Sequence, residues 1–141
     1  MRALDAHGAI YVNTARLTLV AAALAGASAV ALGAFGAHAL RNVLDERALA
    51  IWRTAVDYQF WHALALLGTA LLARGMLPSR VLRVAACAFA FGIVLFCASL
   101  YALALGAPRW LGAVTPLGGV LFIVGWVALG VAAWRVKEHR G

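Results

Sequence analysis

The chain has 141 residues, of which 65% are hydrophobic and only 12% charged, with a formal net charge of +7. A soluble domain of this size cannot hide so much apolar surface, so the composition excludes an ordinary water-soluble fold and points to a membrane protein. Its two cysteines, Cys87 and Cys97, stand ten positions apart in one apolar stretch without CxxC spacing. That excludes a disulfide framework and leaves both as small apolar residues.

Four stretches carry no charge: Leu17–Leu40 (24 residues), Tyr58–Ala73 (16), Val84–Pro108 (25) and Trp110–Trp134 (25). About 20 helical residues cross a bilayer core, so three of these span outright. The second reaches that length only when counted from Thr54, with Asp57 included. The first holds cleavage-like "ASA" and "AHA" triplets, but a signal-peptide core is only about 7–15 residues long, so this run reads as a span. Within it Ala22, Gly26, Ala29, Gly33 and Gly36 recur at spacings of 4, 3, 4 and 3, a seam of small residues that lets another helix approach.

Between the first two spans, Leu44, Ala48, Ile51, Trp52 and Ala55 share one face of a helical wheel and Glu46, Arg53 and Asp57 the other. This predicts an amphipathic segment on the outer surface. Arg53 and Asp57, four apart, are expected to form a surface pair of about 0.3–0.5 kcal/mol. The same wheel turns Gln59, His62, Ala63, Leu66, Ala70 and Ala73 inward and gives lipid the bulky Phe60, Trp61, Leu64, Leu67 and Leu71. "LPSR", Leu77–Arg80, is a turn. Pro108 ends the third helix, and "RWLGAV" is an outer loop or interfacial turn. Thr115 then caps a fourth helix that begins at Pro116. The prediction is an all-α membrane protein: one domain over 1–141, a bundle of four transmembrane helices with an amphipathic outer segment leading into the second. The spans lie near 17–40, 54–73, 84–107 and 116–134, after an N-terminal extension over 1–15.

Charge sets the orientation. The termini and the loop around Arg74–Arg83 hold eight basic residues against two acids; the opposite side holds Arg41, Arg47, Arg53 and Arg109 against Asp45, Glu46 and Asp57. Positive-inside bias puts both termini in the cytoplasm of an inner-membrane, multi-pass protein. The basic surplus is a matter of topology and anionic headgroups and calls for no nucleic-acid partner. Trp52, Tyr58, Trp61, Tyr101 and Trp110 are read as outer interfacial anchors, with Trp134 at the inner interface.

The chemistry-bearing residues gather at predicted helix ends on the outer side. His38 lies in the last turn of the first span, where the helix dipole suits a donor or cation, and Arg41 snorkels to the headgroups. His38, Gln59, His62, Tyr101 and Thr115 are predicted to converge in one outer polar pocket. Gly26, Gly33, Gly36, Gly118 and Gly119 serve helix packing. His38 has two readings: it caps its helix end and hydrogen-bonds across the bundle, or it forms a ligand or proton-relay pair with His62. The start of the fourth helix at Thr115–Gly119 adds backbone N–H groups that suit an acceptor or small anion.

The blocks "ALGAFGAHAL", "WRTAVDYQFWHALALL", "SLYALAL" and "TPLGGVLFIVGW" resemble the YgdD-like family of small inner-membrane proteins. That family is domain of unknown function 423, with eukaryotic relatives called transmembrane protein 256. The resemblance runs from Arg16 to about Lys137. It implies a four-span inner-membrane protein of unassigned molecular function. The family pattern it carries over includes Gly33, Gly36, His38, Tyr58, Gln59, His62, Tyr101, Thr115, Pro116, Gly118 and Gly119. Where the family often reads Phe-Ser-Gly-Ser, this chain has Phe96-Cys97-Ala98-Ser99, which removes a hydroxyl at position 97.

Three function classes follow. A structural or accessory membrane protein, packing with itself or a larger complex in the lipid bilayer, fits the small-residue seams and short loops. A small oligomeric transporter or channel subunit with a polar pocket at the outer end is the alternative, though no span carries a mid-membrane Lys, Arg or Glu. A redox or metal enzyme would rest on His38 and His62 alone, without Cys or carboxylate at ligand spacing. No nucleophile–base pair, phosphate loop or HExxH pattern appears, so no catalytic residue, metal ligand or cofactor is assigned.

Overall fold

The computed structural model of the chain describes residues 6–75 and 80–138. The elements are α1 (Ala6–His38), α2 (Glu46–Gly75), α3 (Arg80–Gly92), a π-helical turn (Ile93–Cys97), α4 (Ala98–Ala104), a 3₁₀ turn (Arg109–Ala113) and α5 (Thr115–Glu138). There is no strand among the described residues, so the all-α expectation holds. Because α3, the π turn and α4 run on without a break, four long rods result. Three contain stretches long and apolar enough to cross a membrane: Thr14–His38, Arg80–Ala104 and Arg109–Arg135. The "LPSR" turn falls largely outside the described residues, as do residues 1–5 of the expected extension; the rest of that extension is the first part of α1.

The connections are built by local chemistry. Past the end of α1, the N–H groups of Ala39 and Leu40 both reach the Phe35 carbonyl. The Asp45 carboxylate then accepts from the Ala48 N–H at 2.7 Å and so caps α2. The expected outer segment and second span are a single 30-residue helix, because the inward stripe through Trp52, Ala55, Gln59, His62 and Leu66 never breaks register. The third rod stops earlier than Pro108 suggests. Gly106, at φ +89°, turns the chain, while its N–H donates to Leu103 and that of Ala107 to Ala102. This is a Schellman termination, and it needs the left-handed conformation that glycine adopts at little cost.

Two antiparallel pairs make the bundle: α1 with α2, and the α3–α4 rod with α5; α2 also packs along the α3–α4 rod. The first pair closes on the small-residue seam. A Cβ on Gly36 would lie 2.5 Å from Trp52 Nε1 and one on Gly33 3.3 Å from Val56, whereas one on Gly26 would meet Ala63 at an ordinary 4.0 Å. The second pair closes through three phenylalanine-into-glycine sockets. Phe89 lies over Gly125 and Phe122 over Gly92, while Gly118 admits the backbone of Phe96 itself. That last approach is at the π turn, where the widened helix pushes its backbone outward. Gly119 is only in ordinary contact with the Phe96 ring.

The core is therefore narrow and aromatic, with Leu66, Phe89, Cys97 and Phe122 buried in it. Leu17, Leu24 and Val30 of α1, Trp61 and Leu64 of α2, and Ile123 and Val127 of α5 remain exposed. A water-soluble protein would not present that outer surface; a bilayer accepts it. Cys97 is buried and Cys87 exposed.

Candidate functional site

Gln59 is the polar centre of the bundle. It is buried at mid-length of α2, where the inward stripe passes both neighbouring rods. Its Nε2 donates to the Ala25 carbonyl at 2.9 Å and to Ser28 Oγ at 2.8 Å. Its Oε1 accepts from the Tyr101 hydroxyl at 3.0 Å. One amide thus ties α1, α2 and α4 together, and the partners fix which way it faces, since a flip would set its oxygen against the Ala25 carbonyl. Ser28 completes its own bonding with the Leu24 carbonyl at 2.8 Å.

Two further polar contacts lie nearby. Ser99 Oγ donates to the Phe96 carbonyl of the π turn at 2.9 Å and meets Thr115 Oγ1 at 2.8 Å, joining α4 to α5. Thr115 therefore bonds across the bundle instead of capping its helix. The 3₁₀ turn supplies the start of α5, because the Val114 carbonyl accepts from the Leu117 and Gly118 N–H groups. Those N–H groups are thereby occupied, which removes the expected anion site at this helix start.

His62 is buried in an aromatic box. Its Nδ1 lies 2.7 Å from the Tyr58 carbonyl, so that nitrogen carries the proton and donates. Its ring stacks on Phe122 at 3.5 Å and 12°, with Tyr58, Phe89 and Trp126 around it. Among the described residues no buried side-chain nitrogen or oxygen lacks a partner.

The single pocket expected from the sequence does not form. Gln59 and Tyr101 meet; Thr115 joins Ser99 instead; His62 sits in its own box; and His38 is exposed on α1, its ring without a hydrogen bond to any described residue. The Gly33–Val56 and Gly36–Trp52 contacts set the α1–α2 register. They put His38 beside the first turns of α2, about 11 residues or ~17 Å along the axis from His62. No single water bridges that distance, so the two histidines form no relay pair.

Sequence reading also misplaced Trp52. It is 3% exposed, donates Nε1–H to the Leu32 carbonyl at 2.9 Å and packs on Tyr101 at a centroid distance of 4.6 Å. It is a buried clasp, not an interfacial anchor. Its place on the apolar wheel face beside Ala48 and Ala55 was the available signal. Ser28 and Ser99 were missed because nothing local separates a clasping serine from one that only bonds its own helix.

Charged residues ring the end of the bundle that holds the α1–α2 connection. The mouth of the α1–α2 groove is a cavity of about 450 Å³ whose lining includes Gly33, Gly36, Trp52, Arg41, Arg53 and Asp57. A second, wider depression carries Asp45, Arg47 and Arg109. The expected Arg53–Asp57 ion pair is not made.

The family described as "Protein of unknown function (DUF423)" matches residues 32–119. The chain is 43% identical over 121 residues to the UPF0382 membrane protein SSP2132 of Staphylococcus saprophyticus, covering 86% of this chain and 99% of that protein. It is 41% identical over 122 residues to a UPF0382 membrane protein of Haemophilus influenzae, covering 86% and 95%. It is also 41% identical over 125 residues to the UPF0382 inner membrane protein YgdD of Escherichia coli, covering 89% and 95%. No solved structure matches the chain.

Proposed function

We infer that this chain, which belongs to the DUF423 family and is an integral membrane protein of unassigned molecular function, acts as a structural or accessory helical bundle of the inner membrane. The observation that carries this reading is Gln59, the most polar group between the rods. Both its donors and its acceptor are spent on holding three elements together. A group so used is not available to a passing solute.

The reading has four spans and both termini in the cytoplasm. Although α2 is less apolar than the other rods, its polar Gln59 and His62 are buried against protein, where lipid does not meet them. It runs antiparallel along the seam of α1, and its 30 residues extend ~45 Å, more than a bilayer core needs. The exposed apolar faces of α1 and α5 are the surfaces through which a second copy or a larger complex would be met. Light scattering of the protein in mild detergent tests the accessory reading: a particle heavier than one 14.8 kDa chain is expected. A strictly single-chain particle that also conducts ions in liposomes would overturn it.

A further inference from the structure

The mouth of the α1–α2 groove has the shape and charge of a ligand site. Its lining includes Gly33 and Gly36 near the end of α1, Arg41 in the turn that follows, and Trp52, Arg53 and Asp57 on α2. Gly33 and Gly36 form its floor, where α1 closes on Val56 and Trp52 of α2. Trp52 forms its wall, held there by the Leu32 carbonyl. At about 450 Å³ it falls within the ~300–1,000 Å³ range of small-ligand sites.

The polar groups at its rim are uncommitted. Arg41, Arg53 and Asp57 are all exposed, and none makes an ion pair with another described residue. Two guanidinium groups and one carboxylate share one opening, with Arg41 just beyond the stretch Thr14–His38 and Arg53 and Asp57 beside its last turns. At 25 residues that stretch is longer than a hydrocarbon core of ~30 Å, so its last turn reaches past the core. That is the depth of lipid headgroups. Guanidinium groups bind phosphate oxygens in bidentate fashion, and a carboxylate accepts from a primary ammonium. An anion alone would satisfy the arginines and be repelled by Asp57. A ligand bearing both charges a few bonds apart suits all three.

We propose that this cavity binds the zwitterionic headgroup of an aminophospholipid, with the phosphodiester on Arg41 and Arg53 and the ammonium on Asp57. The acyl chains run down the apolar surface of α1 below it. The site needs only that α1 crosses the membrane, and it stands whether this end of the bundle faces the cytoplasm or not.

The test uses the full-length protein in detergent, titrated calorimetrically with dihexanoyl-phosphatidylethanolamine, with the matching phosphatidylcholine and phosphatidylglycerol, and with inorganic phosphate. The ethanolamine lipid is expected to bind about tenfold more tightly than the choline lipid, whose quaternary ammonium cannot donate to Asp57. Arg41→Gln with Arg53→Gln should weaken the ethanolamine lipid by about tenfold or more while circular dichroism shows the helices intact. Asp57→Asn should erase the preference for ethanolamine over choline and leave the glycerol lipid bound at least as well. Should the double arginine variant fail to fold, the Asp57→Asn selectivity alone decides. Equal binding of ethanolamine and choline lipids by the unaltered protein would overturn the proposal, as would variants that bind like the parent. Inorganic phosphate binding as tightly as the lipid would overturn it too, by making this a simple anion site.

Discussion

Replacing Gln59 with leucine tests the polar clasp directly. The change keeps approximate volume and raises helix propensity, so any loss belongs to the hydrogen bonds. Three are removed: those to the Ala25 carbonyl, to Ser28 Oγ and from the Tyr101 hydroxyl. Interhelical hydrogen bonds in membranes average about 0.6 kcal/mol, so the three together amount to about 2 kcal/mol. Gln59→Leu also strands the Tyr101 hydroxyl in an apolar setting, which adds a desolvation cost. Tyr101→Phe, which deletes only one bond, should cost about 0.6 kcal/mol. The double variant should cost less than the sum of the singles, because the stranded hydroxyl is gone. Reversible unfolding in mixed detergent micelles, followed by circular dichroism, measures all three. Gln59→Leu indistinguishable from the parent, or strict additivity with Tyr101→Phe, would refute the clasp.

Glycine substitutions should separate by geometry. Gly36→Ala meets the Trp52 indole and Gly118→Ala the Phe96 backbone, so each should cost about 1–3 kcal/mol, with Gly118→Ala the worse because backbone cannot rotate away. Gly26→Ala, whose Cβ would find only Ala63 at 4.0 Å, should melt within a few tenths of a kcal/mol of the parent or above it, helped by helix propensity. A lipid-soluble maleimide should label exposed Cys87 in the folded protein and reach buried Cys97 only after unfolding; fragment-ion mass spectrometry of the one tryptic peptide that holds both, Val84–Arg109, distinguishes them. Alkaline phosphatase fused after Gly141 should be inactive in a bacterial inner membrane; an active fusion would mean an odd number of spans or an inverted chain.

The membrane class, the helical rods and most of their facing were legible in the residues alone, because these depend on local periodicity and on segregation of charge. The inward stripe Gln59, His62, Ala63, Leu66 and the outward Phe60, Trp61, Leu64 lie as the wheel has them, since a helix fixes side-chain direction at 100° per residue whatever surrounds it. The seam through Gly33 and Gly36 was equally legible, as small residues recurring on one stripe suit a close neighbour. Axial register, by contrast, comes from the packing of one helix on another. Five polar residues near predicted helix ends looked convergent, yet the α1–α2 contacts slide His38 some three turns away from His62, and no residue pattern encodes that offset. The π turn at Ile93–Cys97 has the same origin. It brings the Phe96 backbone onto Gly118 and Ser99 onto Thr115, and it answers to the neighbouring helix, not to the propensity of its own apolar residues. Trp52 shows the principle in one side chain. Its amphipathic ring suits an interface, but Gly36 leaves a space and the Leu32 carbonyl an acceptor, and together they draw it into the bundle, because a buried indole N–H needs a partner and here finds one.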